Sequence, residues 1–476
     1  MKTNDRPNIV FIITDQQRYD TIAALGASYM ETPHLDRMVE NGTSFDNMYV
    51  TSPSCSPSRA SLFSGTYPHT NGVFRNDERW VYSWVGLLKS SGYRTVNVGK
   101  MHTWPVEGAF GFDERHVVEN KDRDHPNLPF YLDNWDKAFW TRGVQKPSRS
   151  NQRALPDYDS RLGCFTWDAP EDLHADNFVP NLACMWLDRY KGEEPFFLQI
   201  GIPGPHPPYD PTQDYLDIYV GKNDLPEPIR YDFDTQPGPL RALRDHHLSQ
   251  DHDAIVHLPD PTADQMRRQR AHYYANVSMI DTQVGHIIDS LERRGVLDDT
   301  IIVFTSDHGD CINDHGHSQK WNMFEATVHV PAVVWGKGIP KGRQSSLVSL
   351  FDWGPTILEW AGVAVPEWME AQSLGPLLEG TGPQRDIVFA EHADDAILTG
   401  TSFMTMVRRG AWKLVHFVDS PEGQLFNLED DPEERTNHWD DPDHAALKAD
   451  LVAEILGWRI QSDKKTQGFR RELAGV

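Results

Sequence analysis

The chain of 476 residues has little positive charge and no long apolar run. Lysine and arginine number 45 against 70 acidic residues, a net charge of −25. This deficit argues against a nucleic-acid partner, because phosphate backbones are bound through clustered cations. No stretch approaches the ~20 apolar residues of a membrane-spanning helix, and the mean hydropathy is −0.56. We therefore expect neither nucleic acid nor a membrane as partner, and an anionic substrate would need local positive charge in one pocket.

Cysteine is also scarce, with four residues and no C-x-x-C pair. So few and so scattered cysteines exclude a disulfide framework, and we expect no structural zinc site. Residues 1–7 lead directly into an apolar run without the pattern of a signal peptide. We therefore expect a cytoplasmic protein. Its oligomeric state is left open, a homo-oligomer included.

Short apolar runs alternate with helical or turn-rich segments through most of the chain. They lie at residues 8–14, 94–98, 195–200 and 300–305. Runs of this length suit strands buried on both faces of a parallel sheet. The alternation predicts a doubly wound α/β domain over residues 1–383. Within it, a loop-rich insert at about 103–161 carries tryptophans and arginines that form either a solvated surface or a rim that selects substrate.

The remaining residues, 384–476, predict a second and smaller unit. Four short apolar segments separated by turns indicate a small antiparallel sheet. A helix follows with Leu447, Leu451, Ile455 and Trp458 on its apolar face. We therefore expect an antiparallel four-stranded sheet followed by a terminal helix and tail.

Polar residues follow the carboxyl ends of the four apolar runs. In an open parallel sheet the ligand crevice lies beyond those ends, so we expect these side chains in one cleft. The residues concerned are Asp15 and Gln16, Lys100 and His102, His206, and Asp307 and His308.

Two of these doublets offer the ligands of a divalent cation. Asp15, Gln16, Asp307 and His308 supply carboxylate, amide and imidazole groups. In one pair alone, the aspartate is more often a turn or helix cap and the histidine a surface or core residue, but two doublets at two strand ends favour a metal site. The local positive charge would come from Lys100, His102, His206 and Lys320, each of which alone could be a solvated charge or a turn residue.

The most specific motif is Cys-Ser-Pro-Ser-Arg at residues 55–59. Cys55 precedes a predicted helix over residues 58–64, with Pro57 near its first turn. Two interpretations follow from these residues alone. One is a small buried cysteine beside a helix start, and the other is a thiolate nucleophile whose pKa the helix terminus lowers.

The same motif is the hallmark of the type I sulfatases, and the whole chain resembles that family. The agreement extends to further blocks in the family's order, at residues 8–16, 32–36, 99–102, 305–309 and 319–325. Residues 412–414, 425–428 and 431–434 resemble the family's small four-stranded subdomain. The resemblance implies an alkaline-phosphatase-like fold.

The resemblance also implies that Cys55 is oxidised to Cα-formylglycine by a formylglycine-generating maturase, and that the hydrated aldehyde is the nucleophile. Arg59 would orient the diol, and His102 would take the proton of its second hydroxyl. His206 or Lys320 would protonate the departing alkoxide. The metal would be held by Asp15, Gln16, Cys55 in its modified form, Asp307 and His308, and the substrate by Lys100, His206, Lys320 and Asn76.

The predicted function is therefore the hydrolysis of a sugar, alkyl or aryl sulfate monoester to an alcohol and inorganic sulfate. The Asp-Gln and Asp-His doublets resemble those of choline sulfatases and phosphonate monoester hydrolases, whereas many relatives have Asp-Asp and Asp-Asn. A phosphonate monoester hydrolase or phosphodiesterase is the alternative, and a non-catalytic metal-binding protein is a third hypothesis. Residues 100–102, Lys-Met-His, resemble the sulfatase pattern. Calcium is the expected ion and manganese the alternative, because imidazole suits a softer ion.

Overall fold

The computed structural model describes residues 6–119, 121, 131–230 and 232–473. Residues 120 and 122–130 of the expected insert lie outside this set. The strands are β1 Asn8–Asp15, β2 Thr43–Phe45, β3 Met48–Tyr49, β4 Arg94–Gly99, β5 Glu114–Val117, β6 Phe196–Pro205, β7 Thr300–Ser306, β8 His329–Val330, β9 Ala332–Gly336, β10 Gly342–Gln344, β11 Val348–Ser349, β12 Ile387–Ala393, β13 Phe403–Arg409, β14 Trp412–Phe417 and β15 Gly423–Asn427.

The α-helices lie between and after these strands. They are α1 Pro33–Asn41, α2 Cys55–Ser64, α3 Pro68–Asn71, α4 Val85–Ser90, α5 Asn134–Arg142, α6 Arg149–Arg153, α7 Tyr158–Arg161, α8 Ala175–Arg189, α9 Gln213–Tyr219, α10 Gly238–Ser249, α11 Ala263–Arg294, α12 Glu325–Val328, α13 Trp353–Trp360, α14 Gly375–Leu378 and α15 Ala445–Leu473. None of the helices in the described ranges is both long and apolar enough to cross a membrane.

An eight-stranded sheet forms the centre of the molecule, in the order β10-β2-β9-β7-β1-β6-β4-β5. The strands β7, β1, β6, β4 and β5 run parallel, whereas β9 is antiparallel to both β7 and β2. The predicted doubly wound, mostly parallel sheet is therefore confirmed. The four apolar runs of the sequence are its four adjacent central strands.

The side chains of β1 alternate between two hydrophobic cores, one on each face of the sheet. Ile9, Phe11 and Ile13 join a core that includes residues of α2, α4 and α13. Val10 and Ile12 join the opposite core with residues of α1, α8 and α11. Burial on both faces explains why this strand is a continuous apolar run rather than an alternating one.

The C-terminal residues form the predicted antiparallel sheet, in the order β12-β13-β14-β15, followed by α15. Its apolar face continues the core that contains α2. A buried ion-pair cluster adds to this contact, because Lys413 of β14 lies 2.9 Å from Glu325 of α12 and 2.6 Å from Glu434. Removing the lysine would take away the cation that these two buried carboxylates share.

Segment 103–161, which the sequence predicts to be loop-rich, contains one short strand and three helices in its described part. The strand β5 pairs parallel with β4 at the edge of the central sheet. The helix α5 begins at a capping box formed by Asp133 and Asp136. Trp135 and Phe139, one helical turn apart, are buried in the core, whereas Trp140 is 74% exposed. Helical spacing of the aromatic residues decides which of them are buried.

Candidate active site

The four central strands bring their carboxyl ends to one edge of the sheet. Asp15 ends β1, Lys100 follows β4, His206 follows β6 and Asp307 follows β7. The backbone N–H of Gln16, the residue after β1, donates to Asp307 Oδ1 at 3.1 Å. The predicted convergence of these strand ends is therefore present in the structure.

A glycine lets β4 end in this geometry. Gly99 has a φ of 89°, and a Cβ at this position would lie 2.2 Å from the carbonyl oxygen of Gly201 on β6. No other residue fits both the backbone conformation and this close approach. The glycine therefore allows Lys100 to turn into the site directly after the strand.

Cys55 is the first residue of α2, which begins three residues earlier than the sequence analysis predicts. Ser54 before it is extended, with φ −149° and ψ 144°. Pro57 lies in the first turn, where its missing N–H costs no helical hydrogen bond. The cysteine is 1% exposed, so the helix start places its side chain inside the molecule.

Three of the predicted site residues surround the Cys55 sulfur. Lys320 Nζ lies 2.8 Å from Sγ, His308 Nε2 3.1 Å and Asp15 Oδ1 3.6 Å. Burial, followed by the negative charge of Asp15, raises the pKa of the thiol to about 11. A thiol with this pKa is protonated near neutral pH, so the thiolate interpretation is not supported.

The orientation of the His308 ring fits a metal ligand. Its Nδ1 lies 3.0 Å from the carbonyl oxygen of Gly309, which only accepts, so Nδ1 carries the proton of the neutral ring. Burial lowers the pKa of this imidazole and favours the neutral form. The lone pair of Nε2 then faces Asp307 Oδ1 at 3.6 Å and Asp15 Oδ1 at 3.7 Å.

These acceptors, with the Cys55 sulfur, all lie within 4.8 Å of one another. An imidazole lone pair and two carboxylates that face one another suit a divalent cation. The donor set of oxygen and imidazole nitrogen has the chemistry of such a site. The residues present therefore fit the metal that the resemblance implies.

Gln16 presents its amide oxygen to the same site. Its Nε2 donates to Asp310 Oδ2 at 2.7 Å, and its Oε1 accepts a hydrogen bond from Lys320 Nζ at 2.9 Å. The hydroxyl of Tyr209 also donates to Asp310, at 2.6 Å. The sequence did not predict Asp310 or Tyr209 as site residues. Asp310 lies three residues after Asp307, but no local pattern showed that it orients Gln16.

Buried cations pair with the two metal-site carboxylates. Arg59 Nε donates to Asp307 Oδ2 at 2.6 Å, and its Nη1 donates to the carbonyl oxygen of Lys100 at 2.9 Å. The Lys100 ammonium contacts Asp15 Oδ2. Burial raises the pKa of Asp15, but the charges of Lys100, His206 and Lys320 outweigh it and hold the pKa well below its usual value. Two cations therefore pair with the two carboxylates, and Lys320 adds a further buried positive charge at the site.

His206 belongs to a second charged group that the sequence did not reveal. Its Nδ1 lies 2.7 Å from the carbonyl oxygen of Pro207, so Nε2 is the nitrogen that points away from the backbone, 3.7 Å from Asp253 Oδ2. Asp253 Oδ1 also pairs with Arg149 Nη2 of α6 at 2.8 Å. Burial raises the pKa of Asp253, but Arg149 and His206 outweigh it and keep the carboxyl ionised.

Two further predicted residues border the start of α2. The carbonyl oxygen of His102 accepts a hydrogen bond from the Ser56 hydroxyl at 3.2 Å, and its backbone N–H donates to Glu119 at 2.9 Å. Asn76 Oδ1 accepts from the backbone N–H of Ser56 at 3.4 Å. His102 is buried and Asn76 is exposed. The catalytic role of His102 and the substrate contact of Asn76 stay predictions.

The chain was compared with known families and proteins. A family model described as Sulfatase matches residues 7–363. The chain belongs to the sulfatase family. A second model, for the C-terminal part of N-sulphoglucosamine sulphohydrolase, matches residues 313–461 of this sulfatase.

Individual relatives agree with this assignment. The sulfatase is 30% identical to an arylsulfatase of Clostridium perfringens, over 91% of this chain and 90% of the relative. It is 30% identical to a choline-sulfatase of Rhizobium meliloti, over 97% of this chain and 88% of the relative. Among solved structures, the phosphonate monoester hydrolase of Agrobacterium radiobacter superimposes with a TM-score of 0.78 at 25% identity, covering 96% of each chain. The protein is a sulfuric ester hydrolase, which excludes the non-catalytic hypothesis.

The donor cluster predicts that one divalent ion binds per chain. We expect Asp307→Asn to weaken binding of calcium or manganese at least about tenfold, because the site loses a charged ligand. Isothermal titration of the metal-free protein with each ion measures this directly. Asp352→Asn, another buried aspartate that pairs with Arg385, is the matched control and should bind as wild type. Equal affinities in all three proteins would contradict the assignment.

Proposed function

We propose that this sulfatase hydrolyses a sulfate monoester to an alcohol and inorganic sulfate, with formylglycine at position 55 as its nucleophile. The observation that carries the proposal is the position of Cys55. Its sulfur lies at the start of a buried helix, 2.8 Å from Lys320 and within the cluster of metal donors. The protonated thiol there is poorly suited to attack sulfur itself.

The conversion of Cys55 requires a separate enzyme. The Cβ–S bond breaks, sulfur leaves as sulfide, and Cβ gains a double bond to oxygen, which is a two-electron oxidation of the side chain. The maturase would use a two-electron acceptor such as dioxygen, and the aldehyde oxygen would come from that oxidant or from water. The motif at residues 55–59 carries the Cys, Pro and Arg that the resemblance implies are read by such a maturase.

The hydrated aldehyde and the divalent ion would supply an activated oxygen nucleophile and a route by which sulfate leaves without attack of water on sulfur. The protein's own residues do the positioning. Asp15, Gln16, Asp307 and His308 would hold the ion. Lys100 and Lys320 would bind sulfate oxygens, since each carries a buried positive charge at the edge of the donor cluster. Arg59 holds Asp307 in place through the 2.6 Å hydrogen bond.

Protons would move at two other residues. His206, with Nε2 facing the Asp253 carboxylate, would protonate the departing alkoxide, with Lys320 as the alternative donor. His102 lies next to the start of α2 and would take the proton from position 55 in the second half of the reaction. Burial lowers the pKa of His206 well below its usual value, and the negative charge of Asp253 opposes this shift. Asp253 would therefore act as a positioning residue that favours the protonated form of His206.

Several finer assignments complete the proposal. The ion is calcium, with manganese as the alternative because His308 contributes a borderline ligand. Relatives are named arylsulfatase, choline-sulfatase and N-acetylglucosamine-6-O-sulfatase, so the proposed substrate is an aryl, alkyl or sugar sulfate. The two-unit division at residue 384, the cytoplasmic location and the oligomeric state stay predictions.

A phosphonate monoester hydrolase is the second candidate, favoured by the structural similarity to that enzyme of Agrobacterium radiobacter. Both activities recognise a tetrahedral anion. We expect kcat/KM for an aryl sulfate to exceed that for the phosphonate and phosphodiester with the same aryl group. Initial rates on the three matched esters decide the question, and the reverse order would favour the second candidate.

Mass spectrometry of the peptide that contains Cys55 tests the modification. In protein produced with a maturase, we expect this peptide to have lost sulfur and two hydrogens and gained oxygen. Cys55→Ser should lower kcat by about 10³-fold or more, since serine provides one hydroxyl and no aldehyde to re-form. Cys164→Ser, at another buried cysteine, should leave activity unchanged. Full activity with an intact thiol at position 55 would refute the proposal.

The contribution of Asp253 can be measured with aryl sulfates of increasing leaving-group pKa. Asp253→Asn removes the charge that favours protonated His206, so we expect kcat/KM to fall roughly tenfold or more for poor leaving groups and little for activated ones. His206→Ala should show the same steepened dependence. Asp251→Asn is the matched control, because Asp251 bonds to Arg153 and Tyr158 rather than to His206. If kcat/KM of Asp253→Asn depends on leaving-group pKa as steeply as that of wild type and no more, Asp253 has no role in protonating the leaving group.

A further inference from the structure

We propose that His438, Asp441 and His444 form a second metal site, suited to zinc and separate from the proposed catalytic cluster. The three residues lie between β15 and α15, in the C-terminal part of the chain. Their ligand atoms all lie within 4.8 Å of one another. The expectation of no structural zinc site rests on the cysteines, and this donor set contains none.

The distances between the donor atoms match those around a tetrahedral ion. Asp441 Oδ2 lies 3.0 Å from His444 Nδ1 and 3.5 Å from His438 Nδ1. Zinc with ligands at 2.0–2.2 Å has neighbouring donors about 3.3 Å apart. The two imidazoles and the carboxylate therefore need only small shifts to surround one ion.

The backbone holds the donors in place without using the atoms that would bind metal. His438 N donates to the Leu425 carbonyl oxygen at 2.8 Å, which anchors this residue to β15. Asp441 Oδ1 accepts from the backbone N–H of Asp443 at 2.9 Å, so the carboxylate is fixed by one oxygen and presents the other to the imidazoles. His444 lies in the short 3-10 turn Pro442–His444 that follows.

The surroundings of these three residues leave them accessible to an ion from solvent and limit the movement of the two imidazole rings. The side chains are 26% exposed for His438, 34% for Asp441 and 27% for His444, so an ion and a water ligand can enter from solvent. On the inner side, the Trp412 ring of β14 packs against both imidazoles, with centroids 5.9 and 4.8 Å away. Packing of this kind restricts the rings and lowers the entropic cost of binding.

The ligand types select the ion. Two imidazoles and one carboxylate favour zinc, and also nickel or copper, over calcium or magnesium, which prefer oxygen ligands alone. The site would link the segment before α15 to the C-terminal sheet. Bound zinc should therefore stabilise the folded protein by mass action. Without metal, the same atoms make ordinary hydrogen bonds between imidazole and carboxylate.

Zinc binding by the calcium-loaded protein tests the proposal. Equilibrium dialysis should show one more zinc ion per chain in wild type than in His444→Gln or His438→Gln. Glutamine keeps a hydrogen-bond donor toward Asp441 but is a poor zinc ligand, so these variants separate metal binding from hydrogen bonding. His116→Gln is the matched control, because His116 is 29% exposed and faces one carboxylate, that of Glu114.

A second readout is the thermal unfolding midpoint with and without zinc. We expect zinc to raise it in wild type and His116→Gln and to leave it unchanged in both site variants. Hydrolysis of an aryl sulfate should be the same in all four proteins, so the result does not depend on the proposed catalytic mechanism. Equal zinc content in wild type and both site variants, or no zinc bound by wild type, would overturn the proposal.

Discussion

The active site depends on four adjacent parallel strands that end at the same edge of the central sheet. Parallel strands share their chain direction, so residues that follow them are close in space however far apart they are in sequence. For this reason the backbone N–H of Gln16 can donate a 3.1 Å hydrogen bond to Asp307 Oδ1. The two hydrophobic cores on either side of β1 hold that edge rigid. The positions of the predicted metal donors and of the charged residues around Cys55 depend on this alignment of the strand ends.

Charge compensation is the second constraint on the site. The protein has a net charge of −25, yet Arg59, Lys100 and Lys320 are buried around two carboxylates. Arg59 and Lys100 form ion pairs with these carboxylates, whereas Lys320 donates hydrogen bonds to Gln16 Oε1 and the Cys55 sulfur. Removing one partner of a buried ion pair would leave the other charge unpaired, which costs several kcal/mol. The low local dielectric strengthens every such interaction. An acidic chain can therefore offer a locally positive pocket to an anionic ester.

The proposed general acid, His206 with its neighbour Asp253, is assembled differently from the predicted metal donors. Asp253 and Arg149 come from outside the four strand ends, and they meet His206 only in the folded chain. Segment 103–161 contributes to both structure and site, since Trp135 packs in a core while Arg149 reaches Asp253. Composition alone does not distinguish these roles, because the same residue types serve in cores and at pocket walls.

The sequence by itself determined the fold class and most of the predicted metal donors. Apolar runs buried on both faces identify parallel strands, and chain direction then places Asp15, Asp307 and His308 together. Residues 55–59 identified the family and predict the position of its nucleophile. Tertiary structure alone decided the start of α2 at Cys55, the proton position on His308, and the contacts of Asp310 with Gln16 and of Asp253 with His206. These properties depend on burial and on contacts between residues distant in the chain, and neither local periodicity nor motif spacing records them.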